Sequence, residues 1–364
     1  MRWSWRIGRI ANIDIYFHFT FLILLVWVAM SSWMAGRSVV HAVHGLVTIL
    51  VLFGIVVLHE LGHAFAARHF GIRTRDITLL PIGGVARLEH MPEDPKQELV
   101  VSVAGPAVNV VLAVTGIIAL ISIAGVSALT PWPLIGMKPL SEFVWINVIL
   151  AVFNLIPAFP MDGGRVLRAL LALRMDYLRA TNIAAGIGQG IALLFGFAGL
   201  FLNPFLVFIA LFVWIGAAEE SSTVQMRSAL SGIPVSRAMI TEYHALSPED
   251  PLSRAVEHIM AGFQHDFPVV EGGRVVGVLP YKDLMKALGE QGEQASVGAC
   301  MRTDFETAAP SEMLNAVFSR LNANQYQFLP VTREGLLMGI VTPENLAEFL
   351  MIHSALRSRG FRRV

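Results

Sequence analysis

Val51-Leu-Phe-Gly-Ile-Val-Val-Leu-His59-Glu60-Leu61-Gly62-His63 is the stretch whose reading decides the fold. Residues 42–58, leading into the histidines, are almost wholly apolar. On a helix, positions i and i+4 share one face. His59 and His63 can therefore close on a single zinc ion, at about 2.0–2.1 Å each. Glu60 lies three residues before His63 and leans over the same face, where a carboxylate can take a proton from water at such an ion. A wet helix surface could carry the same three residues. Their place inside an apolar run weighs against that reading, because ionisable groups at membrane depth are costly and functional by default.

Composition agrees with a membrane setting for half of the chain. The 364 residues are 55% hydrophobic and 15% charged, with a mean hydropathy of +0.61, too apolar for an ordinary soluble domain. Long apolar runs fill the chain up to about residue 218, and after Glu219 the composition becomes that of a soluble α/β protein. The formal net charge is zero, so no global basic field calls for a nucleic-acid partner. The single cysteine, Cys300, excludes an intrachain disulfide; it reads as a small buried residue in a reducing compartment.

A helix needs about 20 apolar residues to cross a bilayer. Six stretches are candidates: 16–34, 40–66, 99–124, 143–159, 183–202 and 204–218. The first has no small-residue cleavage site after it and reads as a retained span. Arg2, Arg6 and Arg9 precede the first stretch. Arg68, Arg73, Arg75, Arg87 and Lys96 follow the second, and Arg165, Arg168, Arg174 and Arg179 follow the fourth. The opposite loops hold little beyond Arg37 and Lys138. Both termini and the soluble half are thus expected in the cytoplasm, with the spans in a cell membrane of prokaryotic type. If the second span enters from outside near His41, His59 lies about 27 Å along it, close to the cytoplasmic surface.

Residues 73–89 alternate loosely at Ile77, Leu79, Ile82 and Val85 and bend at Pro81, Gly83 and Gly84. They read as a β-hairpin or re-entrant loop, with a plain cytoplasmic loop as the alternative. At membrane depth such a segment must lie against protein or water, and its edge could pair with an extended substrate.

A catalytic zinc site needs a third protein ligand and an open position. The fourth span ends in Asn154-Leu-Ile-Pro157-Ala-Phe-Pro160-Met161-Asp162-Gly163-Gly164-Arg165, where two prolines and two glycines break the helix around one carboxylate. Asp162 arrives at a depth comparable to that of His59; the alternative is a turn aspartate capping the next helix.

These paired motifs resemble the site-2 protease family of intramembrane zinc metalloproteases. So do Ala104-Gly105-Pro106-Ala107-Val108-Asn109 and the opening Trp3-Ser-Trp-Arg-Ile-Gly-Arg-Ile10. The resemblance covers residues 1–218. It implies that His59, His63 and Asp162 hold the zinc and that Glu60 is the base. Met161 stands where the family usually has leucine. Asn109 reads as an interhelical hydrogen-bonding amide. Asn154 has the same bland role open to it, beside a catalytic one on the substrate carbonyl or its developing oxyanion. His18 reads as a packed or interfacial residue.

From Ile233 onward the chain repeats with an offset of about 62 residues. Met239 matches Met301, Pro248 matches Pro310, Pro268-Val269 matches Pro330-Val331, Gly277 matches Gly339, and Asp283-Leu284 matches Asn345-Leu346. Neither copy buries a good core alone, so the two are expected to pack as one unit. The repeat resembles a tandem pair of CBS domains, which often bind adenine nucleotides between their copies and commonly dimerise. In that family a Ser/Thr-x-x-Asp run contacts the nucleotide. Pro280-Tyr-Lys-Asp283 keeps the acid and Thr342-Pro-Glu-Asn345 keeps the hydroxyl, so Asp283 and Thr342 are the candidate contacts for ATP or AMP. A purely structural or dimerising role is the alternative.

The expected architecture is a multi-pass α-helical membrane domain at 1–218, with six transmembrane helices and a re-entrant β-hairpin or loop. A linker (219–232), two CBS domains (233–294 and 295–355) and a basic tail (356–364) complete the chain. The expected function is an intramembrane zinc endopeptidase acting on transmembrane or juxtamembrane segments of other membrane proteins, with one zinc per chain, nucleotide regulation and homodimerisation through the CBS pair. The rival is a nucleotide-gated transporter or channel that uses the same His, Glu and Asp residues for ions.

Overall fold

The computed structural model describes residues 4–81, 83–88, 92, 94–124, 139–324 and 327–360. Arg2, Trp3, Ile82, Glu89, Lys138 and residues 361–364 of the basic tail lie outside them. The chain forms two compact units, Met1–Val224 and Gln225–Val364.

The first unit opens with strands β1 (Ser4–Ile10) and β2 (Ile13–His18), joined by Ala11 and Asn12 at φ 50° and 70°. Two successive positive φ values make the turn that matches strand twist. Helix α1 (Phe19–Gly36) comes next, with the His18 ring accepting from the Thr20 amide at 3.4 Å. His18 is therefore a helix cap at a strand–helix junction. Ser38 caps α2 (Val39–His69) through the Val40 amide. With 31 residues, α2 is about 46 Å long. Strands β3 (Thr74–Leu80) and β4 (Gly83–Leu88) form an antiparallel hairpin. β2 pairs in parallel with β3, Ile15 opposite Ile77 and Phe17 opposite Leu79, giving the sheet order β1-β2-β3-β4. Ile13, Ile15, Ile77 and Leu79 of this sheet are buried; Ile13 and Ile77 pack with Leu61 and Ala64 of α2, and Leu79 with Phe53 and Val56.

Then come α3 (Pro95–Ala124), α4 (Pro139–Asn154), α5 (Asp162–Ala172), α6 (Tyr177–Phe201) and α7 (Phe205–Ala229). Among the described residues, five helices, α1, α2, α3, α6 and α7, are long and apolar enough to cross a membrane. Side chains such as Leu193, Phe197, Phe201 and Phe208 stand exposed on them, a surface suited to lipid rather than water. α4 is apolar but has only 16 residues, about 24 Å of helix. It ends at Asn154, short of the 159 expected from sequence, because Pro157 and Pro160 cannot continue the hydrogen-bond ladder. Likewise α1 starts at Phe19, not residue 16, since Tyr16 and Phe17 belong to β2.

The second unit contains α8 (Leu252–Ala261), β5 (Phe267–Glu271), β6 (Arg274–Leu279), α9 (Tyr281–Gln291), α10 (Val297–Cys300), α11 (Leu314–Asn324), β7 (Leu329–Arg333), β8 (Leu336–Val341) and α12 (Pro343–Gly360). The sheet order is β5-β6-β8-β7. The two hairpins use equivalent turns, Gly272-Gly273 and Glu334-Gly335, all at positive φ. The copies interlock. A Cβ on Gly277 of the first copy would lie 2.6 Å from Met301 Sδ, and one on Gly339 of the second 3.2 Å from Met239 Sδ. Each copy's methionine thus rests on the other copy's glycine, which explains why these residues recur at the 62-residue offset.

Candidate metal centre

His59, Glu60 and His63 sit in the last third of α2, with His59 about 30 Å from its Val39 end at 1.5 Å per residue. The Nε2 atoms of His59 and His63 are 3.1 Å apart. Asp162 Oδ2 lies 3.2 Å from the first and 3.1 Å from the second. All three residues are buried, and their donor atoms fall within 4.8 Å of one another, a group that could hold a metal ion.

The outward nitrogens of the two rings are committed elsewhere. His63 Nδ1 is 2.7 Å from the Val101 carbonyl oxygen, which can only accept, so Nδ1 carries the proton. A chain of amides makes the same assignment for His59. Asn147 donates its Nδ2 to the Phe143 carbonyl at 2.8 Å, which turns its Oδ1 toward Asn109 Nδ2 at 3.1 Å. Asn109 Oδ1 is thereby left to accept from His59 Nδ1, 2.5 Å away. Both Nε2 atoms then present bare lone pairs to each other and to a carboxylate. Two nitrogen donors and one oxygen, converging with no proton between the rings, match the donor set of a divalent zinc site with an open fourth position.

Glycines let backbone approach the cluster. A Cβ on Gly105 of α3 would lie 2.2 Å from His63 Nε2 and 2.7 Å from His59 Nε2. One on Gly62 would lie 2.8 Å from the Ala104 carbonyl oxygen, so α2 and α3 pack backbone to backbone here. Gly84 of β4 lies over Glu60; its Cβ would be 2.9 Å from Glu60 Cγ and 3.4 Å from Oε1. β4 is also the edge of the sheet.

Asp162 is delivered by an irregular loop and a short helix. Ala158 and Phe159 of the loop are fully buried, and the Phe159–Pro160 peptide is cis. The loop folds back so closely that a Cβ on Gly163 would lie 2.3 Å from the Ile156 carbonyl oxygen. Asp162 occupies the first turn of α5, where the helix dipole favours a carboxylate. Six residues on, Arg168 is 1% exposed and anchors α5. It donates to Glu98 Oε1 of α3 at 2.8 and 2.5 Å and to Glu220 Oε1 of α7 at 2.5 Å. Its guanidinium lies 5.0 Å from the ring centres of both Phe159 and Tyr177.

The other residues singled out from sequence are not among the three donors of this cluster. Asn154 ends α4, and its side-chain amide donates back to the Leu150 carbonyl of the same helix at 3.0 Å. Asp283 and Thr342 belong to the second unit. Asp283 is engaged by Arg302, Nε to Oδ2 at 2.5 Å, while Thr342 Oγ1 accepts the Asn345 amide at 3.1 Å and caps α12. Asn109 has a larger part than the interhelical one expected of it, since it orients His59. Its signal was in the sequence: Gly105 and Asn109 stand at i and i+4 on α3, the same spacing as the histidines they face.

Known proteins divide the chain in the same way. The profile of peptidase family M50 matches residues 47–133 and 135–197, and that of the CBS domain matches 235–290 and 297–352. A zinc metalloprotease of Methanocaldococcus jannaschii is 35% identical over 79% of this chain and 81% of its own length. Rip3 of Mycobacterium tuberculosis is 28% identical over 97% of this chain and 94% of its own. The solved site-2 protease of Methanocaldococcus jannaschii shares 39% identity, covers 60% of this chain and 95% of its own, and superposes with a TM-score of 0.45.

Proposed function

The chain belongs to peptidase family M50, the site-2 type of zinc metalloprotease, and from that premise we propose that it cleaves membrane-embedded or juxtamembrane segments of other proteins at the His59–His63–Asp162 centre. In this reading those three residues hold one zinc per chain. The observation that carries it is the convergence of three buried donor atoms within 4.8 Å, on rings whose other nitrogens are already committed. When bound, zinc supplies Lewis-acid polarisation and brings the pKa of its water toward about 7.

Glu60 is the base. It precedes His63 by three residues on the same helix face, accepts a proton from the attacking water and returns it to the leaving amine. A helical substrate protects its own amides, so it must unwind before it is cut. β4 supports a place for the unwound segment: its Gly84 packs on Val56 and Glu60, and its outer edge has backbone groups with which an extended strand can pair. Gly84 lies against an apolar stretch of α2, which supports reading the β3–β4 hairpin as re-entrant.

The topology we propose counts α4, short as it is, as a crossing. That gives six spans with both termini in the cytoplasm, in line with the arginines that follow α2 and open α5. The end of α2 that carries the centre is the end that leads into Arg68, Arg73 and Arg75, so water reaches it from the cytoplasmic side. Adenine nucleotide binding to the CBS pair, and pairing of two chains through it, extend the proposal to regulation. The ion-carrier reading gains no observation of its own.

The test is metal analysis and proteolysis with the full-length protein in detergent. One zinc per chain is expected, together with chelator-sensitive cutting of a single-span membrane protein. Protein that retains full activity without metal would end the proposal.

A further inference from the structure

Asp162 and its anchor Arg168 stand about 9 Å apart along α5, and Glu98, which takes that anchor, stands about 10 Å along α3 from Gly105, which lies against both histidines. The two helices therefore run antiparallel here, with Glu98 against Arg168 at one end and Gly105 against the metal cluster at the other. Midway stand Ser102 of α3, four residues from Glu98, and Arg165 of α5, three from Asp162, spacings that share a helix face. Resting on the reading of His59, His63 and Asp162 as a zinc site, we propose that Ser102 and Arg165 are positioning residues of that site, joined to Glu98 through one buried water that holds the Asp162 turn of α5 against α3.

Three buried polar atoms support this. Among the described residues, Glu98 Oε2, Ser102 Oγ and Arg165 Nε have no hydrogen-bond partner. Glu98 and Ser102 are each 0% exposed, and Arg168 and Tyr177 occupy only the other oxygen of Glu98, Oε1. Native proteins rarely leave such groups unmet, and a cluster of them marks bound water or function. The charge of Arg165 lies within electrostatic reach of Glu98, Asp162 and Glu60 alike, which puts its guanidinium between the Glu98 network and the metal centre.

The chemistry of these atoms calls for a bridge. The Nε–H only donates, the carboxylate oxygen only accepts, and the hydroxyl does either. One water accepts from Arg165 and donates to Glu98 and to Ser102, the set of bonds typical of a buried water.

The link sits where the centre needs it. Arg168 fastens α5 nearly two turns beyond Asp162, whereas Arg165 lies within one turn of it. Val101, next to Ser102, holds His63 Nδ1 through its carbonyl at 2.7 Å. One turn of α3 thus orients an imidazole and steadies the carboxylate whose Oδ2 lies 3.2 and 3.1 Å from the two rings.

Three measurements on the full-length protein in detergent test the proposal: zinc affinity by competition with a chromogenic chelator, the melting temperature of each variant, and a crystal structure of the zinc-loaded native chain. The crystal is expected to show one water within hydrogen-bonding distance of Glu98 Oε2, Ser102 Oγ and Arg165 Nε. Arg165→Met should weaken zinc about 10-fold or more, and Ser102→Ala about threefold. Arg165→Lys keeps the charge but has no Nε–H, so it should weaken zinc as much as Arg165→Met. Native affinity in Arg165→Lys would reduce the residue to a charge and overturn the bridge, and a direct Arg165–Glu98 ion pair in the crystal would do the same. Native affinity in both Arg165→Met and Ser102→Ala, with only the melting temperature lowered, would make them packing residues and overturn the positioning role. Native protein that binds no zinc would instead remove the underlying reading.

Discussion

The metal centre of the first unit and a cleft of the second, lined by Thr342, are built on opposite plans. In the centre, every donor has a second anchor: His63 on the Val101 carbonyl, His59 on Asn109, and Asp162 on a helix fastened through Arg168. In the cleft, Glu242, His244, His265 and Tyr281 line open space and lie largely exposed. A site that must orient lone pairs before its ion arrives needs its order in advance, whereas an exposed cleft is under no such constraint.

Four substitutions probe that contrast, from the strongest effect to the weakest. Glu60→Gln should keep one zinc per chain yet lower cleavage by about 10²–10⁴-fold. Cleavage at the native rate would contradict the base assignment, and metal analysis on the same sample separates lost chemistry from lost binding. Arg168→Met leaves the Glu98 carboxylate, 0% exposed, without its cationic partner. Removing one side of such a buried pair costs about 3–5 kcal/mol, read as a large drop in thermal stability of the detergent-solubilised protein. Asn109→Leu removes the acceptor from His59 Nδ1 and should weaken zinc about 10–100-fold, measured by competition with a chromogenic chelator. Unchanged affinity would mean that the ring orients itself. Arg254→Ala, at the other extreme, breaks the Asp250 pair of the second unit, whose arginine side chain is 55% exposed. The expected loss is under about 1 kcal/mol, and a loss comparable to that of Arg168→Met would erase the contrast between the two units.

How much of this was legible in the chain depended on distance along it. The His59/His63 spacing, the proline- and glycine-broken run into Asp162 and the 62-residue repeat are local patterns, and each could be read from short stretches of chain. The four-stranded sheet could not. Its central pairing, Ile15 with Ile77 and Phe17 with Leu79, is parallel and spans the whole of α1 and α2. Tyr16-Phe-His18, the end of β2, therefore looked like the start of an apolar helix, the alternation of Ile13–His18 being too short to stand out beside the long apolar run of α1. The shortness of α4 was hidden for a related reason. Apolar content continues through Ile156, Ala158 and Phe159, but these residues form a loop, with Ala158 and Phe159 buried, rather than helix. The Asp283–Arg302 pair was out of reach too, since it joins the two copies across 19 residues through the fold alone.

One hydrogen atom is all that separates the floor of the metal centre from its donors. An alanine methyl at Gly105 would stand 2.2 Å from His63 Nε2, in the space the ion requires. With the proposed ligand set, the smallest possible side chain is therefore expected to displace the ion while leaving His59, His63, Asp162 and Glu60 chemically intact. Gly105→Ala is accordingly expected to lose zinc with no catalytic group altered, as metal analysis of the purified variant would show.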